Sequence, residues 1–143
     1  MWNMEAKDII SLISKIKESA NGFITSEMDS WGVKGLATSP GDILSALIKS
    51  EKLTMKELAD KIGRDKSTVT ALVDKLIKHG YAEKTRDVED NRVVFVTLTE
   101  KGKELKPMFE KISQGLLSKV YKDISQNEKE ELINTLKKIK NNF

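Results

Sequence analysis

Two short amphipathic segments joined by a glycine-containing turn constrain the fold of this chain more than any other feature. Thr54 and Glu57 have the spacing of a capping box, and apolar residues at helical spacing follow them as far as Gly63. Asp65 is placed to cap a second helix over residues 66–79. Its predicted buried face consists of Val69, Leu72, Val73 and Leu76. Two short helices with so short a connection predict a helix-turn-helix.

The pattern changes from helical to extended directly after this motif. Residues 81–85 and 93–98 predict two strands, because the second run is β-branched and aromatic, and the polar run 87–91 predicts the turn between them. An isolated two-stranded hairpin is marginally stable in water. We therefore expect this hairpin to pack on the helices.

Amphipathic helices are predicted on both sides of this unit. Before it, an apolar stripe predicts a helix over residues 5–28, glycines predict a loop over 30–41, and Ser39 with Pro40 is expected to open the next helix.

After the hairpin, Thr99 is expected to cap a helix over about 100–122, which Pro107 should kink. Ser125 and Glu128 form a second capping box at the start of the last helix.

The predicted fold class is mainly α with a small β-hairpin wing, in a single domain of residues 1–143. Residues 37–98 form the compact unit, and residues 1–30 and 100–143 form a helical region with apolar stripes. We expect these stripes to form the interface of a homodimer, since two-fold dimers are the commonest soluble oligomers. The alternative is that the two ends of the chain pack on each other inside a monomer.

Composition excludes several classes of function. The chain has no cysteine and one histidine, which excludes thiol catalysis and cysteine-based zinc sites and predicts no metal and no cofactor. It contains no uncharged stretch longer than eight residues and no secretory signal pattern, so no membrane segment is expected. We therefore expect a soluble, cytoplasmic protein that is not an enzyme.

The placement of charge is more informative than the net charge of +3. Residues 61–86 hold seven basic and three acidic side chains, whereas the rest of the chain is nearly neutral. A basic segment on a near-neutral body is typical of a surface that binds phosphates. An ordinary solvated helix face rich in lysine explains the same charges equally well.

The middle of the chain resembles the winged helix-turn-helix of the MarR family of bacterial transcription regulators. The matching runs are residues 53–59, 66–76, 80–81, 86–92 and 98–102. They correspond to the entry into the motif, the recognition helix, its exit, the wing with its terminal Asp-x-Arg, and the junction to the next helix. The chain departs from the family pattern at Val88, where proline is usual, and at Ala71, where many members have arginine.

The resemblance implies a winged helix-turn-helix flanked by N- and C-terminal dimerisation helices. It implies a homodimeric, sequence-specific regulator that binds an inverted-repeat operator in double-stranded DNA, acting as a repressor that a small-molecule effector releases. A winged-helix module that binds protein and not DNA is the alternative, and the acidic residues around the expected contact surface keep it open.

The second helix of such a motif enters the major groove by its N-terminal end. The expected contacts of the recognition helix are Lys66, Ser67, Thr68, Thr70, Ala71 and Lys75. Ser67 and Thr70 can donate to phosphates or bases, and Ala71 can contact a thymine methyl group. The alternative for Ser67 and Thr68 is that they only help to cap the helix.

The expected contacts of the wing are Lys84, Arg86, Asp90 and Arg92. Arg92 is placed to enter a narrow minor groove, and Asp90 can hold it by a charge-assisted hydrogen bond. Lys75, Lys84 and Arg86 are expected to contact phosphates. The alternative for Arg92 is an exposed ion pair that contributes only ~0–1 kcal/mol.

Phe23 and Trp31 lie where the first helix meets the following loop. In proteins similar to this one, a ligand pocket lies between the terminal helices and the winged unit, and these two residues are expected to line it. Core packing is the alternative for both.

Overall fold

The computed structural model describes residues 4–33, 36 and 41–143. The elements in chain order are α1 Met4–Lys7, α2 Ile9–Ser30, α3 Gly41–Ser50, β1 Lys52–Thr54, α4 Met55–Ile62, α5 Lys66–Lys78, β2 Ala82–Arg86, β3 Val94–Leu98, α6 Glu100–Lys103, α7 Lys106–Val120 and α8 Gln126–Asn141. The predicted opening of α3 by Ser39 and Pro40, and most of the predicted loop before it, lie outside the described residues. In the part of the chain that the structure describes, no helix is long and apolar enough to span a membrane.

The helix-turn-helix forms as predicted because its end signals are local. The Glu57 amide donates to Thr54 Oγ1 at 3.1 Å, and Glu57 accepts from the Thr54 amide at 3.0 Å, which completes the capping box. Gly63 ends α4 with a left-handed φ of 70°. The Thr68 amide donates to Asp65 at 3.0 Å, so the predicted cap starts α5.

The wing belongs to a three-stranded antiparallel sheet and not to a two-stranded hairpin. The strand order is β1-β3-β2, and Leu53 of β1 pairs with Val96 of β3. The sheet therefore contains one strand, β1, that was not predicted. The third strand and the helices beneath it stabilise a hairpin that would be marginal alone.

The predicted kinked helix over 100–122 was wrong, because two helices occupy this segment. Glu104 and Leu105 separate α6 from α7, and Pro107 lies in the first turn of α7. A proline there removes an amide that has no helical partner in any case. Pro107 therefore starts a helix and does not kink one.

The core lies inside the winged unit, which we define as residues 41–98. Its fully buried side chains are Ile43, Leu47, Leu58, Val69, Val73, Leu76 and Val96. Leu72, predicted to be buried, is only half-buried and packs at the edge of this core. Met28 of α2 and Met108 and Ile112 of α7 extend the core towards the terminal helices.

The end of α5 is tied to the start of α6 through what we call the exit junction, residues 79–81 with 99–102. Thr99 Oγ1 donates to the Gly80 carbonyl at 2.6 Å, and Lys101 Nζ donates to the His79 carbonyl at 2.9 Å. The Thr99 amide donates to the Tyr81 carbonyl at 3.1 Å. Gly102 lies against that same carbonyl, where a Cβ would overlap it.

Candidate nucleic-acid interface

Helix α5 has one buried face and one face that no element among the described residues covers. Val69, Val73 and Leu76 are fully buried, which fixes the rotation of the helix about its axis. On the opposite side Lys66, Ser67, Ala71 and Lys75 are exposed, and Thr68 and Thr70 are half-buried. The six residues predicted on this helix therefore lie together at its N-terminal end and along its outer side.

The polar side chains at the start of α5 are hydrogen-bonded within the helix. Ser67 Oγ donates to Asp65 Oδ2 at 3.2 Å, and Thr70 Oγ1 donates to the Lys66 carbonyl at 2.8 Å. Hydrogen bonds from Thr68 and Ser67 hold the pKa of the Asp65 carboxyl below its ordinary value. Asp65 is therefore ionised at neutral pH and can only accept hydrogen bonds.

In the wing, the guanidinium of Arg92 donates two hydrogen bonds to the carboxylate of Asp90. Arg92 Nε lies 3.1 Å from Asp90 Oδ1, and Arg92 Nη2 lies 3.2 Å from Asp90 Oδ2. The Arg92 side chain is nevertheless 90% exposed, and Arg92 lowers the pKa of the Asp90 carboxyl. The pair thus presents an oriented cation to solvent, as the Asp-x-Arg spacing predicted.

The rest of the wing is held by local hydrogen bonds. Arg86 Nη1 donates to the Asn91 carbonyl at 2.7 Å, which leaves the guanidinium's other donors available. Val88, which departs from the family pattern, is almost fully exposed at the tip.

The sequence analysis did not predict the contact between Lys84 and Asp74 in the candidate interface. Lys84 Nζ of β2 lies 3.5 Å from Asp74 Oδ1 of α5, and both side chains are exposed. This pair links the wing strand to the recognition helix and partly occupies a lysine that was predicted to contact phosphate. The two residues are ten positions apart in different elements, so no local pattern indicates the pairing.

A cavity of about 440 Å³ lies among α2, α3 and α7. Apolar side chains from these helices line it, including Met28 and Met108. Its charged lining residues are Lys17, Asp42 and Arg64. The described residues that line it do not include Phe23 or Trp31. Phe23 packs against α7 at Gly115, and Trp31 is exposed at the end of α2. The structure therefore does not bring these two predicted residues together at this cavity.

Clusters of three or more potential metal ligands do not occur among the described residues.

Comparisons with known proteins agree with this geometry. A family model described as the MarR family matches residues 41–94. The HTH-type transcriptional regulator SarZ of Staphylococcus haemolyticus is 40% identical over 102 residues, which cover 71% of this chain and 68% of SarZ.

Solved structures show the same fold. A mutant of MarR from E. coli, complexed with operator DNA, superimposes with a TM-score of 0.79 at 20% identity, covering 96% of this chain and 99% of that one. The organohalide-sensing regulator RdhR in its 2,4-dichlorophenol-bound form superimposes with a TM-score of 0.83 at 27% identity, covering 99% and 82%.

Proposed function

The chain belongs to the MarR family of DNA-binding transcriptional regulators, and from this premise we propose that it is a homodimeric repressor of an inverted-repeat operator. We further propose that it acts in the cytoplasm and that a small molecule releases it from DNA. Family members are regulators and not enzymes, in agreement with the composition. Of the two functions that the sequence allowed, family membership favours DNA binding over a module that binds protein alone.

The uncovered outer side of α5 is the observation that carries the proposal. Lys66, Ser67 and Ala71 lie at the N-terminal end of a helix whose other side is locked into the core. This is the arrangement by which a recognition helix contacts base edges in the major groove. The fold shared with MarR in its operator complex supports the same placement.

The wing supplies the second proposed contact. Because Asp90 fixes the Arg92 guanidinium in an exposed position, that side chain loses little freedom on entering a groove. A narrow minor groove has enhanced negative potential, which favours an arginine there. Lys75, Lys84 and Arg86 are proposed to contact phosphates, and Thr68 to support the start of the helix.

The terminal helices are proposed to pair two copies of the chain, so that residues 1–30 and 100–143 form the dimerisation region. Their exposed apolar side chains include Ile10, Leu12, Ile16, Leu117, Leu132 and Leu136. Association would remove this surface from water. Two recognition helices must then lie about 34–36 Å apart to reach successive turns of the same DNA face.

The cavity among α2, α3 and α7 is the proposed effector site. Arg64 lines it from the turn between α4 and α5, so a ligand there contacts the helix-turn-helix and the terminal helices together. A ligand that favours one relative placement of these parts shifts DNA binding by its differential affinity. The dichlorophenol-bound form of RdhR supports a small organic ligand. Phe23 and Trp31 do not line this cavity, so a contact of either residue with an effector stays a prediction.

Removal of the Arg92 side chain tests the DNA-binding proposal. Genomic fragments are selected with the purified chain, and the enriched duplex is titrated by fluorescence anisotropy at several salt concentrations. We expect Arg92→Ala to weaken binding, and to lower the salt slope by about two per operator, because a homodimer loses one cation from each of its two wings.

Lys49→Ala is the matched control, since Lys49 is an exposed cation on α3, outside the proposed DNA contacts and the proposed dimerisation region, and should leave affinity and slope unchanged. An Arg92→Ala variant with wild-type affinity and slope would contradict the wing assignment. Failure of the wild-type chain to enrich any fragment would contradict the DNA-binding proposal itself.

A further inference from the structure

We propose that Ser67 and Thr70 contact DNA as hydrogen-bond acceptors, so that they recognise base amino groups and do not bind phosphates. Together with Ala71, they would then favour adenine–thymine pairs in the half-site. The inference rests on the proposed DNA-binding function and deepens it, because it assigns a base chemistry to residues that position alone leaves undefined.

The hydroxyl protons of Ser67 and Thr70 are already engaged within the protein. A hydroxyl has one proton to donate and two lone pairs that accept. Ser67 Oγ lies 3.2 Å from a carboxylate oxygen of Asp65, and Thr70 Oγ1 lies 2.8 Å from the Lys66 carbonyl oxygen. Neither partner has a proton to give, so the hydroxyl is the donor in both bonds. What each side chain still offers to a ligand is a lone pair.

The helix cap holds the partner of Ser67 in place. Asp65 also accepts the Thr68 amide at 3.0 Å as the cap of α5, so its carboxylate is held in place beside Ser67. Its negative charge lies next to the position that a phosphate would need to occupy, and like charges repel. Phosphate contacts near the start of α5 therefore fall to Lys66.

The major groove offers few donors to such acceptors. Phosphate oxygens, guanine N7 and O6, and thymine O4 all accept hydrogen bonds, and the only major-groove donors are adenine N6 and cytosine N4. Ser67 and Thr70 are therefore complementary to amino groups alone. We therefore replace the interpretation that these hydroxyls donate to phosphates or bases by one in which they accept hydrogen bonds from bases.

Ala71 discriminates between the two amino-bearing pairs. It is exposed and lies four residues after Ser67, on the same side of the helix. An adenine–thymine pair presents an amino group and a methyl group in the major groove, whereas a guanine–cytosine pair presents no methyl group. The combination of acceptor and apolar methyl therefore matches adenine–thymine.

Removal of single amino groups from the DNA tests the inference. A random duplex library is selected with the full-length wild-type chain. Each adenine of the enriched half-site is then replaced by purine, and each cytosine by 2-pyrimidinone, which lack the amino group. We expect one or two adenine replacements to lower wild-type affinity about two- to tenfold, as for one net hydrogen bond each.

The same DNA is then titrated with Ser67→Ala and Thr70→Val. Each variant should bind the unmodified duplex more weakly and lose no further affinity at the position whose amino group it contacts. Replacement of guanine by 7-deazaguanine is the matched control, because loss of that acceptor should affect wild type and Ser67→Ala equally. Unchanged circular dichroism and melting temperature exclude a folding defect.

Asp65→Asn reverses the direction of the hydrogen bond between residue 65 and Ser67, which gives a second test of the inference. Asparagine caps helices as well as aspartate, and its amide group can donate to Ser67. The Ser67 proton is then released, so selection with this variant should shift one half-site position towards guanine or thymine acceptors.

A wild-type chain that enriches a sequence but tolerates the loss of every amino group overturns this inference alone. A wild-type chain that enriches no sequence overturns the DNA-binding proposal with it.

Discussion

The winged unit and the terminal helices carry the same amphipathic pattern but bury it to very different extents. The fully buried side chains of the described residues all lie within residues 41–98. Helix α8 buries none, and Leu132 and Leu136 on its apolar stripe remain 45% and 43% exposed. The winged unit therefore supplies its own core, whereas the terminal helices present apolar surface that a second chain can cover.

This difference shows what periodicity encodes. Apolar residues at helical spacing identify the face that avoids water, but they do not identify its partner. In α5 the partner is the rest of the winged unit. In α8 the described residues of the same chain leave the stripe largely uncovered, which is why the dimer is a proposal about a second molecule.

The largest effect is expected from two matched leucine truncations, one in the winged unit and one in a terminal helix. Leu58 is completely buried, so Leu58→Ala should lower the free energy of unfolding by about 2–5 kcal/mol. Leu136→Ala should cost a monomer much less and should mainly raise the dissociation constant of the dimer. Urea denaturation and analytical ultracentrifugation measure the two quantities. Equal losses of stability, with no change in assembly, would break the comparison.

A pair of glycine substitutions gives an intermediate effect. A Cβ at Gly102 would overlap the Tyr81 carbonyl oxygen, so Gly102→Ala should destabilise the chain by about 1–3 kcal/mol. Gly22 lies inside α2 with open space around it, so Gly22→Ala should stabilise the helix by up to ~1 kcal/mol. Thermal unfolding should therefore give melting temperatures that move in opposite directions. A neutral Gly102→Ala would show that the exit junction tolerates displacement.

The smallest expected effect is a loss of stability of the winged unit as the pH falls. The pKa values of Glu57, Asp65 and Asp90 are lowered by hydrogen bonds from Thr54, Thr68 and Arg92. Groups with lowered pKa stabilise the fold above their unfolded value, near pH 4, and lose that contribution as pH falls through the folded value. Melting temperatures measured from pH 7 to pH 3 should fall less steeply in Asp90→Asn than in wild type. Parallel curves would contradict this assignment.

The features that sequence predicted correctly are those set by residues close together in the chain. The caps at Thr54, Asp65 and Ser125 each involve an amide three residues away, and each forms as predicted. The bond between Asp90 and Arg92 spans two residues. Such local signals can be identified in the sequence without knowledge of the tertiary structure.

The features that sequence missed depend on distant partners. β1 has only three residues, too few for alternation to show, and it exists because Leu53 meets Val96 across the sheet. The break before α7 lies at Glu104 and Leu105, and Leu105 is buried in the core, so Pro107 falls in the first turn of a helix that periodicity had joined to the one before it. The cavity residues come from several elements, and no motif of one segment could indicate them.

The exit junction limits how the recognition helix can move. Three consecutive carbonyl oxygens at the end of α5, those of His79, Gly80 and Tyr81, all accept hydrogen bonds from Thr99 or Lys101. Rotation of α5 about its own axis would break these bonds, whereas a movement of the winged unit together with α6 preserves them. In the proposed homodimeric repressor, a signal that reaches α7 would therefore change the distance and angle between the two winged units and leave the proposed base-contacting surface of each intact.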